Sequence, residues 1–116
     1  MKKYPVAARA WIVTINNPEN YGYSDCPCVL CEQLRAQWLS ERPSRSGVWM
    51  FCVSDDGVPH VHMVLIDTVP FRDRHIYDYV PADSAVPLAT SHDIVSDVEH
   101  FVRHILDKET VLVIVH

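Results

Sequence analysis

Asp55-Asp56-Gly57-Val58-Pro59-His60-Val61-His62-Met63-Val64-Leu65 is the stretch on which the fold turns. Asp55-Asp56-Gly57 is a strong hairpin turn signal. It separates two runs of strand formers, Val48 to Ser54 and Val58 to Asp67, so the middle of the chain is expected to be an antiparallel hairpin. Successive side chains of a strand point to opposite faces. His60 and His62 therefore share one face, while Val61, Met63 and Leu65 line the other. Two imidazoles on one rigid surface can chelate a divalent cation. A solvent-facing strand that carries two histidines would look the same, so the remainder of the chain has to discriminate.

Outward from the hairpin, the pattern alternates between strands and helices. Ala10 to Asn16 is aromatic and β-branched and reads as a strand, stopped by Asn16-Asn17-Pro18. A polar loop runs to about Cys28. Val29, Leu30, Leu34, Trp38 and Leu39 then recur at helical spacing, and Glu41-Arg42-Pro43 ends that helix. Beyond the hairpin, Phe71 to Tyr79 reads as a short helix, Val86 to Thr90 as a fourth strand and Val111 to Val115 as a closing strand. Ile94 to Leu106 is the clearest helix, with Ile94, Val98, Phe101, Val102 and Ile105 on one apolar stripe. This order predicts an α+β sandwich of the ferredoxin-like kind, an antiparallel sheet of about five strands with packed helices.

The 116 residues suit a single domain spanning 1–116, large enough to build a core without staples. A 48% hydrophobic and 22% charged composition is that of an ordinary globular protein. No apolar run spans a bilayer and the first residues lead into no signal-peptide core, so the expectation is a cytoplasmic protein with no membrane partner. A net charge of −5 argues mildly against non-specific nucleic-acid binding, but a bound dication supplies local charge that composition does not count. Of four cysteines, Cys26, Cys28 and Cys31 crowd into six residues and Cys52 stands apart. Only Cys52 or a histidine could complete a zinc site with the three, and reduced thiols at a loop-to-helix junction are the favoured reading.

Three segments taken together carry a resemblance. Trp11-Ile12-Val13-Thr14-Ile15-Asn16-Asn17-Pro18, then Pro59-His60-Val61-His62, then Asp97-Val98-Glu99-His100-Phe101-Val102-Arg103-His104 are similar to the motifs of the HUH endonuclease domain of rolling-circle replication initiators. The nearest likeness is to the small Rep proteins of plasmids and circular single-stranded DNA viruses, and it runs from about residue 10 to residue 115. The resemblance implies the HUH fold and metal-dependent, site-specific nicking and joining of single-stranded origin DNA. It also implies a host replication helicase as a partner, and the host nucleus as the location if the protein is viral.

Carried over residue by residue, the resemblance makes His60 and His62 ligands of Mg²⁺ or Mn²⁺, which would polarise the scissile phosphate. It takes the third, acidic ligand to be Asp56, ahead of Gly57. The pleat leaves this open: a two-residue turn would aim Asp55 at the histidines, a three-residue turn or bulge Asp56. Phe101 holds the position of the nucleophilic tyrosine, with His104 in place of the lysine that follows it and Lys108 as the other cationic candidate. Phenylalanine has no oxygen with which to form the covalent intermediate. Three readings follow, in decreasing weight: a deliberate substitution, a natural loss, or a nucleophile supplied by Tyr77 or Tyr79. From the residues alone, Phe101 is a core member of the apolar stripe.

Trp11, Asn16 and Asn17 are expected to contribute to DNA binding, as sheet scaffold and contacting turn. Arg9, Arg42, Arg45, Arg72, Arg74 and Arg103 are candidate phosphate contacts. The alternative to the nicking enzyme is a non-catalytic metal- and DNA-binding protein that retains the fold. A hydrolase using activated water comes third. A base-stacking RNA-binding sheet is disfavoured, because His60-Val61-His62 lacks the aromatics it needs.

Overall fold

The structure, a computed structural model, describes residues 9–18, 27–69, 84–87 and 94–116. The helix expected over Phe71–Tyr79 lies outside the described residues, and so do Cys26, Arg72, Arg74, Tyr77 and Tyr79. The elements are β1 (Arg9–Ile15), α1 (Pro27–Glu41), β2 (Arg45–Val53), β3 (Pro59–Asp67), β4 (Ser84–Pro87), α2 (Ile94–Lys108) and β5 (Thr110–Val115). The architecture is α+β. All strand pairs are antiparallel, in the order β4-β1-β3-β2-β5, which puts the histidine strand β3 at the centre.

The hairpin forms as the sequence requires. Val53 pairs with Pro59, Ser54 N–H donates to Val58 O at 3.0 Å, and Asp55-Asp56-Gly57 make a three-residue loop. Gly57 has φ +83°, a left-handed conformation that glycine takes without strain.

Both faces of the sheet are covered, and by different helices. Trp11, Val13, Ile15, Trp49, Phe51, Val61, Met63 and Leu65 pack against Leu30, Cys31, Leu34 and Trp38 of α1. Ala10, Val48, Met50, Cys52, Val64 and Ile66 pack against Val98 and Ile105 of α2, with Phe101 and Val102 alongside. The two helices therefore do not share one face. The physical reason lies in β2 and β3, which are apolar on both sides along most of their length and cannot leave either side to water. The histidine face is thus the face beneath α2, not a solvent-facing surface.

β2 begins at Arg45, three residues before the apolar run that marks it in the sequence. Arg45 lies opposite Asp67 in the ladder, with Nε 3.2 Å from Oδ2, and both side chains are buried. The Arg45 guanidinium also reaches Glu41 at 2.7 Å and stacks on the Trp38 ring at 3.8 Å. Asp67 accepts in addition from Ser44 Oγ at 2.7 Å and the Val69 N–H at 2.8 Å. This network ties the end of α1 to the sheet edge. It removes Arg45 from the candidate phosphate contacts, and Arg42 stands 3.7 Å from the same carboxylate. Among the described residues no helix is long and apolar enough to cross a membrane.

Candidate metal centre

His60 and His62 stand on the α2 face with ring centroids 5.9 Å apart. Their side chains are 21% and 12% exposed, enough shelter to hold the rings and enough opening to admit a ligand. The cross-strand partner of His62 on β1 is Thr14, whose Oγ1 is 3.3 Å from His62 Nδ1. On the other side of the ring, His62 Nε2 is 2.5 Å from Glu109 Oε2, and Glu109 Oε1 is 4.0 Å from His60 Nε2. One carboxylate therefore faces both imidazoles.

Glu109 is held there by the chain itself. Its backbone N–H donates to Ile105 O at 2.9 Å, extending the last turn of α2, and β5 starts at the next residue. Nothing in the local sequence marks it, because a Glu between a helix and a strand is ordinarily a solvated junction residue. Only the strand order β3-β2-β5 brings it to the histidines.

Asp56 is not brought to the histidines. The turn has the three residues that aimed Asp56 there in the pleat argument, yet its carboxylate remains exposed and accepts from Ser54 Oγ. That hydrogen bond, with a smaller contribution from the charge of His60, holds the Asp56 carboxyl below its ordinary range. Asp55 is exposed as well. Glu109, and not Asp56, is the carboxylate that faces the histidines.

Burial pushes the His62 imidazole below its usual range; Glu109 pulls upward without prevailing, and His60 adds to the depression. Neutral His62 then donates from Nε2 to Glu109 and accepts at Nδ1 from the Thr14 hydroxyl. A cation on Nε2 would move the proton to Nδ1, and the threonine oxygen could accept it, so Thr14 suits either tautomer.

The donor set fits a divalent cation in chemistry, with two imidazoles and a carboxylate. Among the described residues, no group of three or more His, Cys, Asp or Glu side chains is placed to hold a metal ion. Two donors bound to one ion at about 2.1 Å stand about 3.0–3.4 Å apart, against 2.5 Å for His62 Nε2 and Glu109 Oε2. For that pair alone the carboxylate would withdraw by under about 1 Å, while His60 Nε2 stands 4.0 Å from Glu109 Oε1. Two buried atoms of this cluster, His60 Nδ1 and Glu109 Oε1, have no hydrogen-bond partner among the described residues. Glu109 Oε1 lies on the side facing His60, where such an ion would give it a partner.

Phe101 belongs to the apolar stripe of α2 and also meets His62. Its ring stands edge-on to His62, at 6.4 Å between centroids and 77° between planes. His104 and Lys108 are exposed. Lys108, seven residues on, lies nearly in line with Phe101 along the helix, whereas His104 is turned aside by about 60°. Trp11 is only 5% exposed, in the core beneath α1, and acts as scaffold rather than as a DNA contact. Asn16 and Asn17 are exposed where β1 runs out past the pair Ile15–Val61, beside His60. Arg103 is exposed on α2.

Cys31 and Cys52 are free and buried on opposite sheet faces, whereas Cys28 is in a disulfide. That corrects the expectation of a reduced thiol for Cys28 but not for Cys31, and a zinc site using both is not formed. A groove of about 740 Å³ opens between Leu39 and Trp49 on one side and Val98, Val102 and Leu106 on the other, beside the half of β2 that β5 does not pair. None of His60, His62 and Glu109 lines it. Comparison with protein-family models, with curated proteins and with solved structures finds no significant match.

Proposed function

We propose that this chain is a HUH-type domain that binds single-stranded DNA at a Mg²⁺ or Mn²⁺ centre held by His60, His62 and Glu109, with Phe101 in the place of the nucleophile. The observation that carries the reading is the edge-on approach of Phe101 to His62. The helix residue that the resemblance equates with the tyrosine is one that stands against His62. A solvated strand would have no such helix above it.

The bound cation would supply Lewis-acid polarisation of a scissile phosphate. The protein's own groups set the rest. Thr14 orients His62 through Nδ1, and the Ile105–Glu109 hydrogen bond fixes the backbone from which the carboxylate extends. Asn16 and Asn17 present amides at the histidine end of the sheet, where a DNA backbone would pass. Lys108 supplies a positive charge in line with Phe101. The chain as it stands binds and does not cut, since the Phe101 ring has no oxygen to bond to phosphorus.

Phe101→Tyr tests this directly. Its phenol oxygen would bond to the scissile phosphorus, which stays on the 5′ end of the downstream strand, while the P–O3′ bond breaks and the phenol proton passes to the departing 3′ oxygen, leaving a hydroxyl. With Mn²⁺ and a labelled pool of random-sequence single-stranded DNA, the variant should give an adduct that survives denaturing electrophoresis. The parent and Phe101→Tyr/His62→Ala should give none. An adduct in the parent would place the nucleophile elsewhere, with Tyr77 and Tyr79 to test next. Metal-dependent DNA binding without an adduct in Phe101→Tyr would favour the non-catalytic alternative.

A further inference from the structure

Glu109 reaches the histidines by crossing a strand. It precedes β5, His62 is on β3, and β2 runs between them. Adjacent strands lie about 4.8 Å apart, so the carboxylate passes over β2. On that face β2 presents Met50 opposite His62 and Cys52 opposite His60, and Cys52 is also paired with Val111 two residues after Glu109. Register therefore puts Cys52 on the sheet face that carries His60 and that Glu109 crosses. Cys52 is fully buried and free.

We propose that Cys52 is a fourth ligand of this centre and gives it a preference for a thiophilic divalent cation, zinc above magnesium. The proposal rests on the reading that His60, His62 and Glu109 form a metal site. Two imidazoles, one thiolate and one carboxylate make a four-coordinate donor set of the kind zinc takes. Magnesium selects oxygen donors in octahedral geometry, so a thiolate here would narrow the Mg²⁺ or Mn²⁺ of that reading towards zinc. Burial, with Glu109 adding to it, pushes the Cys52 thiol up to about 12, so it does not ionise alone near neutrality. A coordinating cation reverses that preference: the sulfur–metal bond forms and the thiol proton passes to solvent. Cys31 cannot substitute, because it sits on α1, packed against the opposite face of the sheet.

Cobalt(II) titration of the full chain separates the two levels of the argument. The parent should develop visible ligand-field bands together with a near-ultraviolet sulfur-to-cobalt charge-transfer band. The charge-transfer band should vanish in Cys52→Ser and Cys52→Ala, with the ligand-field bands kept, and should persist in Cys31→Ala. Ligand-field bands without a sulfur band in the parent would overturn the Cys52 assignment and leave the histidine centre standing. A sulfur band that survives in both Cys52 variants would overturn it too. Absence of any cobalt absorption would overturn the metal reading beneath it. X-ray absorption at the zinc edge needs no variant: the zinc-loaded parent should show one sulfur neighbour at about 2.3 Å. A shell of nitrogen and oxygen alone would refute the proposal.

Discussion

Glu109→Gln is the substitution that separates a metal centre from a merely hydrogen-bonded histidine. Glutamine keeps the shape and leaves a carbonyl oxygen to accept from His62 Nε2, the contact made at 2.5 Å in the parent. Without metal, the change trades a charge-assisted hydrogen bond for a neutral one, a cost of about 1 kcal/mol. With metal, an anionic ligand is lost. Outer-shell partners alone are worth roughly 10–100-fold in affinity, so loss of a direct ligand should reach at least about 100-fold. At a Mn²⁺ concentration 100 times the parent's Kd, binding adds about 2.7 kcal/mol to the folded state. For a domain of this size that is about 10 °C in Tm, at roughly 4 °C per kcal/mol. The same concentration only matches a 100-fold weaker Kd, which leaves about 0.4 kcal/mol, or about 2 °C. The assay is thermal melting of parent, Glu109→Gln and His60→Ala across a Mn²⁺ series. A Glu109→Gln shift equal to the parent's would remove Glu109 from the ligand set. An undiminished shift in His60→Ala would refute the centre altogether.

Other outcomes follow from the same geometry. Asp67→Ala should cost about 3–5 kcal/mol in urea denaturation, because it strands the buried Arg45 guanidinium, and Arg45→Met/Asp67→Leu should recover most of it; a cost under about 1 kcal/mol for the single change would mean water reaches Arg45. His62 has a lowered folded pKa, so the unfolded chain takes up the proton first. Its contribution to stability should be whole above about pH 6.5 and lost as pH falls towards the folded value, a dependence that His62→Gln should flatten in urea midpoints measured over pH 5–8. Cys31 and Cys52, pushed up to about 11 and about 12 by burial, should resist alkylation at pH 8 in the native protein and react promptly in urea. Rapid native labelling at either would mean local opening of its helix.

The sequence by itself determined the local matters. The Asp55-Asp56-Gly57 turn, the alternation along β3 and the stripe on α2 are set by near neighbours, through backbone conformation and side-chain period. The sharing of a face by His60 and His62 follows from the pleat alone. Those signals also placed Phe101 on the buried side of its helix, though not what it would meet there. Tertiary structure decided which carboxylate completes the cluster. Asp56 is four residues from His60, but its own turn holds it on Ser54, whereas Glu109 is 47 residues from His62 and reaches it only because β5 docks beside β2. The assignment of one helix to each sheet face was equally beyond the sequence. Each helix shows an apolar side without showing which surface will cover it. Arg45 looked like a surface cation because the sequence cannot tell that its cross-strand partner is a buried aspartate. Periodicity records what a residue hides from water. It does not record what that residue meets once hidden, which depends on strand order and register across the whole sheet.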